Sequence, residues 1–379
     1  MIFRALYITA FIAGLITIFI AYQDRNFSVL QTVQIPLTIE AVSFSKTNES
    51  KTKHGNLIWR GGLKISSPHQ RFGGLSGLEI SPDGKDVLAI TDKGLWFKGR
   101  LGYDQDGDLL SLSHGQLSSL KGTGGTALTR KKDRDSESIA IADDGAIYVS
   151  FERRHRILKY ANSLSSDAEP IPFPDAFLNT SKNKGIEALT WLPGGCLLAI
   201  PEHVTSLQDQ SKNPRPEAQD KLIQAFIWDQ FSWSSIYLKS NGDFLPTGLS
   251  VTPKGDILLL ERSFSLLEGF KASLRFFPAE QIQPDKTMEG YVLATFEDQY
   301  AVDNMEGISS RLGPNGETFI YLLSDDNLSF TQDTLLLMFE IDKEFSVTYL
   351  KQRKPVGLRT TGCSKNRSAY SAALATKAF

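Results

Sequence analysis

Short apolar runs alternate with glycine turns along most of this chain, and one such phrase recurs in a fixed register. Each copy is an apolar strand, a turn that ends in glycine and a second apolar strand, which is the pattern of a β-hairpin. The copies are Ser76–Gly84, Glu137–Gly145, Glu187–Gly195, Thr247–Gly255 and, with two extra residues before its glycine, Glu306–Gly316. The glycines stand about 50 to 60 residues apart, and hairpins that return at one blade length predict a β-propeller.

The expected fold is therefore all-β, a propeller of five or six blades with mostly four antiparallel strands each. Five inner hairpins are legible, and a sixth blade could be built only from the two ends of the chain. The segment Leu57–Ile65 reads as a strand pair with a glycine bend that completes the last blade and closes the ring, which removes the exposed sheet edges. Val33–Ile39 is a further candidate strand for this closure.

The predicted domain organisation has four parts. Residues 1–22 form a hydrophobic helix, residues 23–56 a linker with a ring-closing strand, residues 57–355 the propeller, and residues 356–379 a flexible tail. The stretch Ala5–Tyr22 is apolar and uncharged, with Arg4 before it, so it predicts either a signal anchor with a cytoplasmic N-terminus or a cleaved signal peptide. Either reading predicts an exported propeller.

Composition narrows the chemistry. The 41 basic and 43 acidic residues nearly balance, so a nucleic-acid partner is not expected. Cys196 reads as a small buried residue or as the partner of Cys363 in a disulfide, and two cysteines alone do not decide between these readings. The five histidines are scattered, and no zinc-binding spacing is present.

Acidic residues recur at two equivalent places in the hairpins. The residue that begins each phrase forms a first ring, whose members are Ser76, Glu137, Glu187, Thr247 and Glu306. The end of each return strand forms a second ring, whose members are Asp92, Glu152 with Arg153, Glu202, Glu261 with Arg262, and Asp325 with Asp326. Because the first strand runs away from the first ring and the second strand runs back, both rings are expected at the same mouth of the channel.

So many carboxylates at one mouth need positive charge, supplied by arginine, by a cation or by both. Oxygen ligands favour a hard divalent cation, and an irregular site favours Ca²⁺. The predicted metal ligands are Glu137, Glu187, Glu306, Asp325 and Asp326. The predicted catalytic residues are Glu187, Glu306 and Arg262, and the predicted substrate-binding residues are Arg153, Glu202, Glu261 and Arg262. The structural alternative for each is that the carboxylate caps backbone N–H groups or pairs with arginine between blades.

Oxygen-bearing side chains also cluster in two short segments of the chain. Ser324–Asn327 ends an apolar strand and is either a dense set of oxygen ligands or an Asx turn. Asp104–Asp108 resembles the start of an EF-hand loop but has Gly115 at the twelfth position, so it predicts a turn between outer strands. No G-x-S-x-G motif is present, which argues against a serine-hydrolase triad.

Over about Ile58 to Ile341 the chain resembles the phytase-like family, also described as esterase-like activity of phytase. The matching phrases are Phe72–Leu78, Asp135–Ile139, Gly185–Leu189, Leu245–Leu249 with Leu260–Arg262, and Asp303–Ile308 with Ser324–Asn327. The resemblance implies a propeller and an exported location. Together with the apolar N-terminal stretch, this predicts the bacterial periplasm or the extracellular face, with anchoring in the inner membrane by residues 5–22. The resemblance also implies hydrolysis of a small phosphoester or ester.

The leading hypothesis is thus a metal-dependent phosphoesterase or esterase acting at one mouth of the channel. The alternatives are a non-catalytic propeller that binds a ligand or partner at the same mouth, and a lactonase-type propeller with a carboxylate- and Asn-bound metal. Asn304 and Asn327 keep the lactonase reading open.

Overall fold

The computed structural model describes residues 29–48, 50–175, 184–202, 222–265, 267–327, 329 and 332–345. These residues form five sheets, one for each recurring hairpin. The innermost strands of the sheets contact one another in cyclic order, so the sheets are the blades of a closed five-bladed propeller. The count of five settles the open choice between five and six blades for the described part of the chain.

Each blade is built outward from its inner hairpin. Blade 1 contains β5 (Leu75–Ile80), β6 (Asp86–Thr91), β7 (Leu95–Tyr103) and β8 (Leu109–Ser119), with β1 (Val33–Gln34) at its outer edge. Blade 2 contains β9 (Ser136–Ile141), β10 (Ile147–Phe151), β11 (Arg156–Tyr160) and β12 (Ala168–Pro170). Blade 3 contains β13 (Ile186–Leu192), β14 (Cys196–Pro201), β15 (Leu222–Trp228), β16 (Trp233–Lys239) and the parallel edge strand β20 (Thr287–Met288).

Blade 4 contains β17 (Leu245–Val251), β18 (Ile257–Ser265), β19 (Gly269–Phe277) and β21 (Tyr291–Phe296). Blade 5 contains β22 (Asn304–Leu312), β23 (Thr318–Asp325), β24 (Thr334–Ile341), β4 (Leu57–Ser66) and β2 (Thr38–Ala41), and β3 (Lys53–His54) pairs with β4. The described chain also includes one turn of α-helix, α1 (Lys131–Arg134), and a 3₁₀ turn (Ala279–Gln281).

The ring closes through a strand from the start of the propeller. β4 pairs antiparallel with β24, with Leu63 opposite Leu336, so the strand that precedes the first repeat completes the last blade. The expectation of a strand pair here is wrong, since Leu57–Ser66 is one continuous strand. Gly62 pairs with Leu337, and the register with β24 shifts between Leu337 and Phe339, so the two glycines lie at a bulge within the strand.

The segment before it is also divided differently from the expectation. Val33–Ile39 is two short strands rather than one, because β1 pairs with blade 1 and β2 pairs with blade 5. Pro36 lies between them and has no N–H to donate to a ladder. The segment therefore spans the outer edges of the first and last blades, next to the closure.

Two expectations concern parts of the chain outside the described residues. Ala5–Tyr22 and the tail from 356 onward lie there, as does Cys363, so the predicted N-terminal helix and the predicted disulfide partner of Cys196 are outside the described residues. Among the described residues, no helix is long and apolar enough to cross a membrane.

Small residues at the centre of the ring let the blades approach closely. A Cβ added to Gly248 would lie 2.7 Å from the carbonyl oxygen of Glu306, and one added to Gly307 would lie 2.9 Å from Cβ of Leu78. Interiors packed at this density do not absorb an extra methyl without displacement. The close approach brings neighbouring inner strands, and the side chains at their starts, to the same axis.

The loop Asp104–Asp108 is the turn between outer strands that the sequence predicts. The Asp104 carboxylate accepts the backbone N–H groups of Asp106 and Asp108, both at 2.9 Å. Asp108 forms an ion pair with Arg60 at 2.9 Å, which joins this turn to β4 of blade 5.

Candidate functional site

A β-bulge interrupts the inner hairpin of every blade at the first-ring position. The pairing register shifts between Leu75 and Leu78, Val149 and Phe151, Ile186 and Ala188, Pro246 and Gly248, and Met305 and Gly307. An extra residue in one strand turns its side chain away from the regular alternation. The bulges therefore displace the side chains of all five first-ring residues from the sheet faces at the strand starts.

The two hydroxyl members of the first ring have structural roles. Ser76 donates to the carbonyl oxygen of Ser136 at 2.7 Å, and Thr247 donates to that of Met305 at 2.9 Å. Each bond joins a blade to the next one round the ring, and both side chains are buried. The structural alternative is thus the better description for these two positions.

The three acidic members of the ring come together. Carboxylate oxygens of Glu137, Glu187 and Glu306 all lie within 4.8 Å of one another. Glu187 is 6% exposed and Glu306 is 8% exposed. Within the described residues, Glu137 and Glu187 have neither an ion pair nor a side-chain hydrogen bond. We call these three residues the central triad.

Burial and mutual repulsion both raise the pKa values of Glu137 and Glu187. Desolvation raises the pKa of Glu137 well above its usual value, and the charges of Glu187 and Glu306 raise it further. Desolvation also raises the pKa of Glu187, followed by the charges of Glu202 and Glu306. Without a cation these two side chains therefore favour the protonated form.

Arg262 supplies the positive charge at this point of the ring. Its guanidinium forms an ion pair with Glu306 Oε1 at 2.9 Å, and it donates hydrogen bonds to Glu202 Oε1 at 3.3 Å and to Asn304 Oδ1. Asn304 in turn donates from Nδ2 to Glu306 Oε1 at 2.7 Å. Burial by itself would lower the pKa of Arg262, but the charges of Glu306 and Glu202 outweigh it and raise that pKa above its usual value.

A second acidic group shares Glu137 with the central triad. Asp135, Glu137 and Glu152 also bring carboxylate oxygens within 4.8 Å of one another. Asp135 forms an ion pair with Arg153, whereas Glu152 has none among the described residues. Desolvation and then the charge of Asp135 raise the pKa of Glu152 to about 7. First-ring and second-ring residues thus mix at one end of the channel, as the strand directions predict.

The turn Ser324–Asn327 does not join either group. Asp325 accepts the N–H of Asn327 at 2.8 Å, which is an Asx turn, and Asp326 accepts the N–H of Gly74 at 2.9 Å and the hydroxyl of Thr334 at 3.2 Å. Desolvation, then the charges of Glu306 and Asp92, raise the pKa of Asp325 to about 9. Among the described residues, neither aspartate belongs to a group compact enough to share one ion.

Glu261 lies inside blade 4 rather than beside its neighbour Arg262. Its carboxylate is fully buried and receives two hydrogen bonds from Arg275, at 2.9 and 2.5 Å, and one from Asn241 at 3.0 Å. Successive side chains of a strand point to opposite faces, which separates Glu261 from Arg262. The expectation that Glu261 contacts substrate therefore has no geometric support.

Sequence reasoning did not include Asp135 among the predicted ligands and considered Asn304 only for the lactonase reading. Each stands two residues before a first-ring glutamate and lies beside that glutamate. Period-two alternation along the inner strand was the signal that could have identified them. Asp92 was placed in the second ring but not among the ligands, and its buried Oδ1 has no hydrogen-bond partner in the described chain.

Comparison with known proteins gives the family. A family model described as "Phytase-like: Esterase-like activity of phytase" matches residues 70–328. The chain belongs to the phytase-like family. The resemblance noted from the hairpin phrases is therefore confirmed over most of the propeller.

Two solved structures resemble this phytase-like protein only distantly. A putative gluconolactonase structure is 11% identical, with a TM-score of 0.39, and covers 82% of this chain and 95% of that one. The C-terminal WD40 domain of Sif2 is 9% identical, with a TM-score of 0.34, and covers 83% of each chain. None of the curated proteins matches this chain significantly.

Proposed function

We propose that this phytase-like propeller is a hydrolase of small phosphoesters or esters, that it depends on a divalent cation, and that it acts at the acidic mouth. The observation that carries the proposal is the central triad. Its three carboxylates lie within 4.8 Å of one another, and only Glu306 has an ion-pair partner among the described residues. A purely structural network would have paired Glu137 and Glu187 as well.

The donor set fits a hard cation. All three donors are carboxylate oxygens, which suit Ca²⁺ or Mg²⁺ better than softer metals, and the irregular surroundings suit Ca²⁺. Glu187 is more than nine-tenths buried, at 6% exposure, yet it has no hydrogen-bond donor among the described residues. The ion would be held by Glu137, Glu187 and Glu306. The site does not include Asp325 and Asp326, because both belong to the turn Ser324–Asn327.

Different side chains around the triad can perform the separate functions that ester hydrolysis requires. A bound cation would supply Lewis-acid polarisation of the ester oxygen. The Glu187 carboxylate would stay ionised beside a cation held by the triad, and its second oxygen would then accept a proton from the attacking water. Arg262 keeps N–H groups beyond those it uses for Glu306 and Glu202, and a planar guanidinium can orient an anionic phosphoryl oxygen. Asn304 and Arg262 together hold Glu306 in place.

The second acidic group would lie beside a bound substrate. Arg153 pairs with Asp135 and remains 37% exposed in its side chain, so it can reach a ligand at the mouth. Glu202 is held through Arg262. These two residues are proposed to contact substrate, whereas Glu261 is omitted because Arg275 and Asn241 occupy its carboxylate.

The decisive experiment measures hydrolysis of p-nitrophenyl phosphate and p-nitrophenyl acetate by the purified full chain, with EDTA and with added Ca²⁺. We expect turnover that needs Ca²⁺ and a loss of about 100-fold or more in kcat for Glu187→Gln. Glu268→Gln is the matched control, because Glu268 is an exposed glutamate paired with Lys271 at 3.1 Å. Turnover that is absent, or that EDTA and Glu187→Gln leave unchanged, contradicts the proposal.

Two alternatives give different results in the same preparation. A non-catalytic binding propeller would show Ca²⁺-dependent thermal stabilisation without turnover of either ester. A lactonase would need an amide oxygen beside the carboxylates, and Asn304 stands next to Glu306 with its Nδ2 on that carboxylate and its Oδ1 facing Arg262. Opening of a γ-lactone without hydrolysis of p-nitrophenyl phosphate would select that reaction.

Export is a separate part of the proposal. We infer a location in the periplasm or on the extracellular face, with anchoring in the inner membrane, from the uncharged apolar stretch Ala5–Tyr22. Fractionation of cells that express the full chain, compared with a chain lacking residues 1–22, tests it. Recovery of the full chain in the cytoplasmic fraction would contradict this location.

A further inference from the structure

A second cavity lies at the opposite end of the channel from the central triad. Its volume is about 930 Å³, and its wall includes the last residues of the inner strands, whereas the triad stands near their first residues. Apolar side chains from every blade contribute: Ile80, Ile141, Trp191, Val251 and Leu312. The inner strands run side by side in the same direction, as shown by bonds between equivalent positions such as Ser76 to Ser136 and Ser250 to Ser310.

One cation in this wall is held in a fixed orientation. The guanidinium of Arg311 lies over the rings of Phe319 at 4.8 Å, Tyr103 at 5.3 Å and Tyr321 at 5.6 Å. Its Nε donates to the hydroxyl of Tyr321 at 2.9 Å, and the two tyrosine hydroxyls lie 2.9 Å apart. Stacking fixes the plane of the guanidinium but leaves N–H donors at its edge.

Arg311 has no carboxylate partner among the described residues, although acidic residues line the same cavity. Asp83 pairs with Lys85 at 3.2 Å, and Glu317 accepts the N–H of Asn315 at 2.9 Å. The other arginine of the wall, Arg60, pairs with Asp108 at 2.9 Å. Glu79 has an interaction of its own. A half-buried cation without a counter-ion, beside a large and mainly apolar cavity, is the arrangement that an anionic group would complete.

We propose that this second mouth binds a small organic anion with an apolar body, such as an aryl carboxylate or an alkyl phosphate. Arg311 takes the acidic head group, and the apolar ends of the inner strands take the body. The wall also carries four acidic residues, Glu79, Asp83, Asp106 and Glu317, so the acidic head group is placed at Arg311 and away from them. The proposal is independent of the proposed hydrolysis, because none of the triad residues lines this cavity.

The test measures binding of 2-naphthoate and of its neutral analogue 2-acetylnaphthalene to the purified full chain by isothermal titration calorimetry. We expect 2-naphthoate to bind, and Arg311→Met to weaken it about tenfold or more, since hydrogen bonds to charged groups are the strong ones. The affinity for 2-acetylnaphthalene should change less than about twofold, because apolar burial is retained. Arg100→Met removes an exposed arginine of blade 1 outside the cavity wall and should leave both affinities unchanged.

Three outcomes would overturn the proposal: no binding of 2-naphthoate to the wild-type chain, equal weakening of both probes by Arg311→Met, or equal weakening of 2-naphthoate by Arg100→Met. If Arg311→Met does not fold, the salt dependence of ligand binding to the wild-type chain tests the proposal instead. The affinity for 2-naphthoate must then fall with added salt while that for 2-acetylnaphthalene does not. Binding of 2-naphthoate that is insensitive to salt would overturn the proposal as well.

Discussion

Arg262 in blade 4 forms an ion pair with Glu306 in blade 5 at 2.9 Å, so the cation of the acidic mouth also joins two blades. The same guanidinium reaches Glu202, which follows the return strand of blade 3, at 3.3 Å. Three consecutive blades are therefore linked through one side chain. These two carboxylates neutralise the charge of Arg262. Glu137 and Glu187 therefore need a different source of positive charge.

Arg262→Met should reduce both stability and activity. The change leaves Glu306 close to the other two carboxylates of the triad without its counter-ion. We expect a loss of about 2 kcal/mol in the free energy of unfolding, less than for a fully buried pair because the Arg262 side chain is 24% exposed. Denaturant unfolding in EDTA measures the loss, and added Ca²⁺ should recover part of it by replacing the missing charge.

Arg262→Lys is the control for this prediction, because it keeps the charge but lacks the planar fork. It should retain most of the stability and lose activity on a phosphoester. Equal stability of Arg262→Met and the wild-type chain would show that the contacts with Glu306 and Glu202 do not hold the blades together.

The chain without metal should be more stable at pH 5 than at pH 8. Desolvation, followed by nearby acidic charge, raises the pKa of Glu152 to about 7, and desolvation raises that of Asp92 to about 6. Between their ordinary values and these raised values the folded chain binds protons that the unfolded chain has released. Stability therefore falls as pH rises through this window.

Thermal unfolding in EDTA across this pH range measures the effect, and Glu152→Gln should reduce it. Ca²⁺ should raise the Tm more at pH 8 than at pH 5, because protons compete with the cation for carboxylates. A metal-free chain whose Tm rises from pH 5 to pH 8 would show that these carboxylates are ionised and compensated in the folded state.

The pair Glu261–Arg275 should matter for stability and not for the reaction. Both side chains are nearly inaccessible, at 0% and 4% exposure, and the pair is bidentate. Arg275→Met leaves a buried carboxylate without its partner and should cost about 3–5 kcal/mol. The double variant Glu261→Leu/Arg275→Met removes the unpaired charge and should recover much of the loss.

Chemical denaturation of the two single variants and the double variant forms the cycle that measures this coupling. The turnover number per folded molecule should be unchanged in the double variant. A loss of turnover in a fully folded double variant would return Glu261 to the acidic mouth, where sequence reasoning first placed it.

The contrast between Glu261 and Arg262 shows what the sequence could and could not predict. The hairpin repeat is visible because each blade buries its inner strands in the same way, so the number of inner hairpins and the first ring follow from register alone. The face on which a second-ring residue lies depends on its local strand, and the pairing of Asp135 with Arg153 depends on how that turn folds. The distances within the triad come from closure of the ring, which no single repeat encodes.

The division of Val33–Ile39 between two blades has the same origin. Its apolar alternation is typical of one strand, and only the position of blade 1 beside blade 5 separates β1 from β2. Pro36 was the local signal for the break, since a residue without an N–H interrupts a ladder. The choice of five blades also depended on whether the chain ends build another sheet, which repeat spacing does not determine.

The close packing of Gly248 against blade 5 also sets the position of the central triad. A Cβ at Gly248 would meet the carbonyl oxygen of Glu306 at 2.7 Å and Cγ2 of Ile308 at 2.9 Å. Gly248→Ala must push β22 away from β17, and we expect a cost of about 1–3 kcal/mol in stability. Because the displaced residue is Glu306 itself, the Tm increase produced by Ca²⁺ should shrink as well.

Ala188 is the equivalent residue of blade 3 and provides the matched control. Ala188→Gly removes a buried methyl from the same ring position without crowding Glu306, so it should cost about 1 kcal/mol and keep the full Ca²⁺ response. Unfolding curves with EDTA and with Ca²⁺ separate the two effects. If Gly248→Ala loses stability but responds to Ca²⁺ as Ala188→Gly does, then ion binding does not depend on where the ring places Glu306, and the triad is not the binding site.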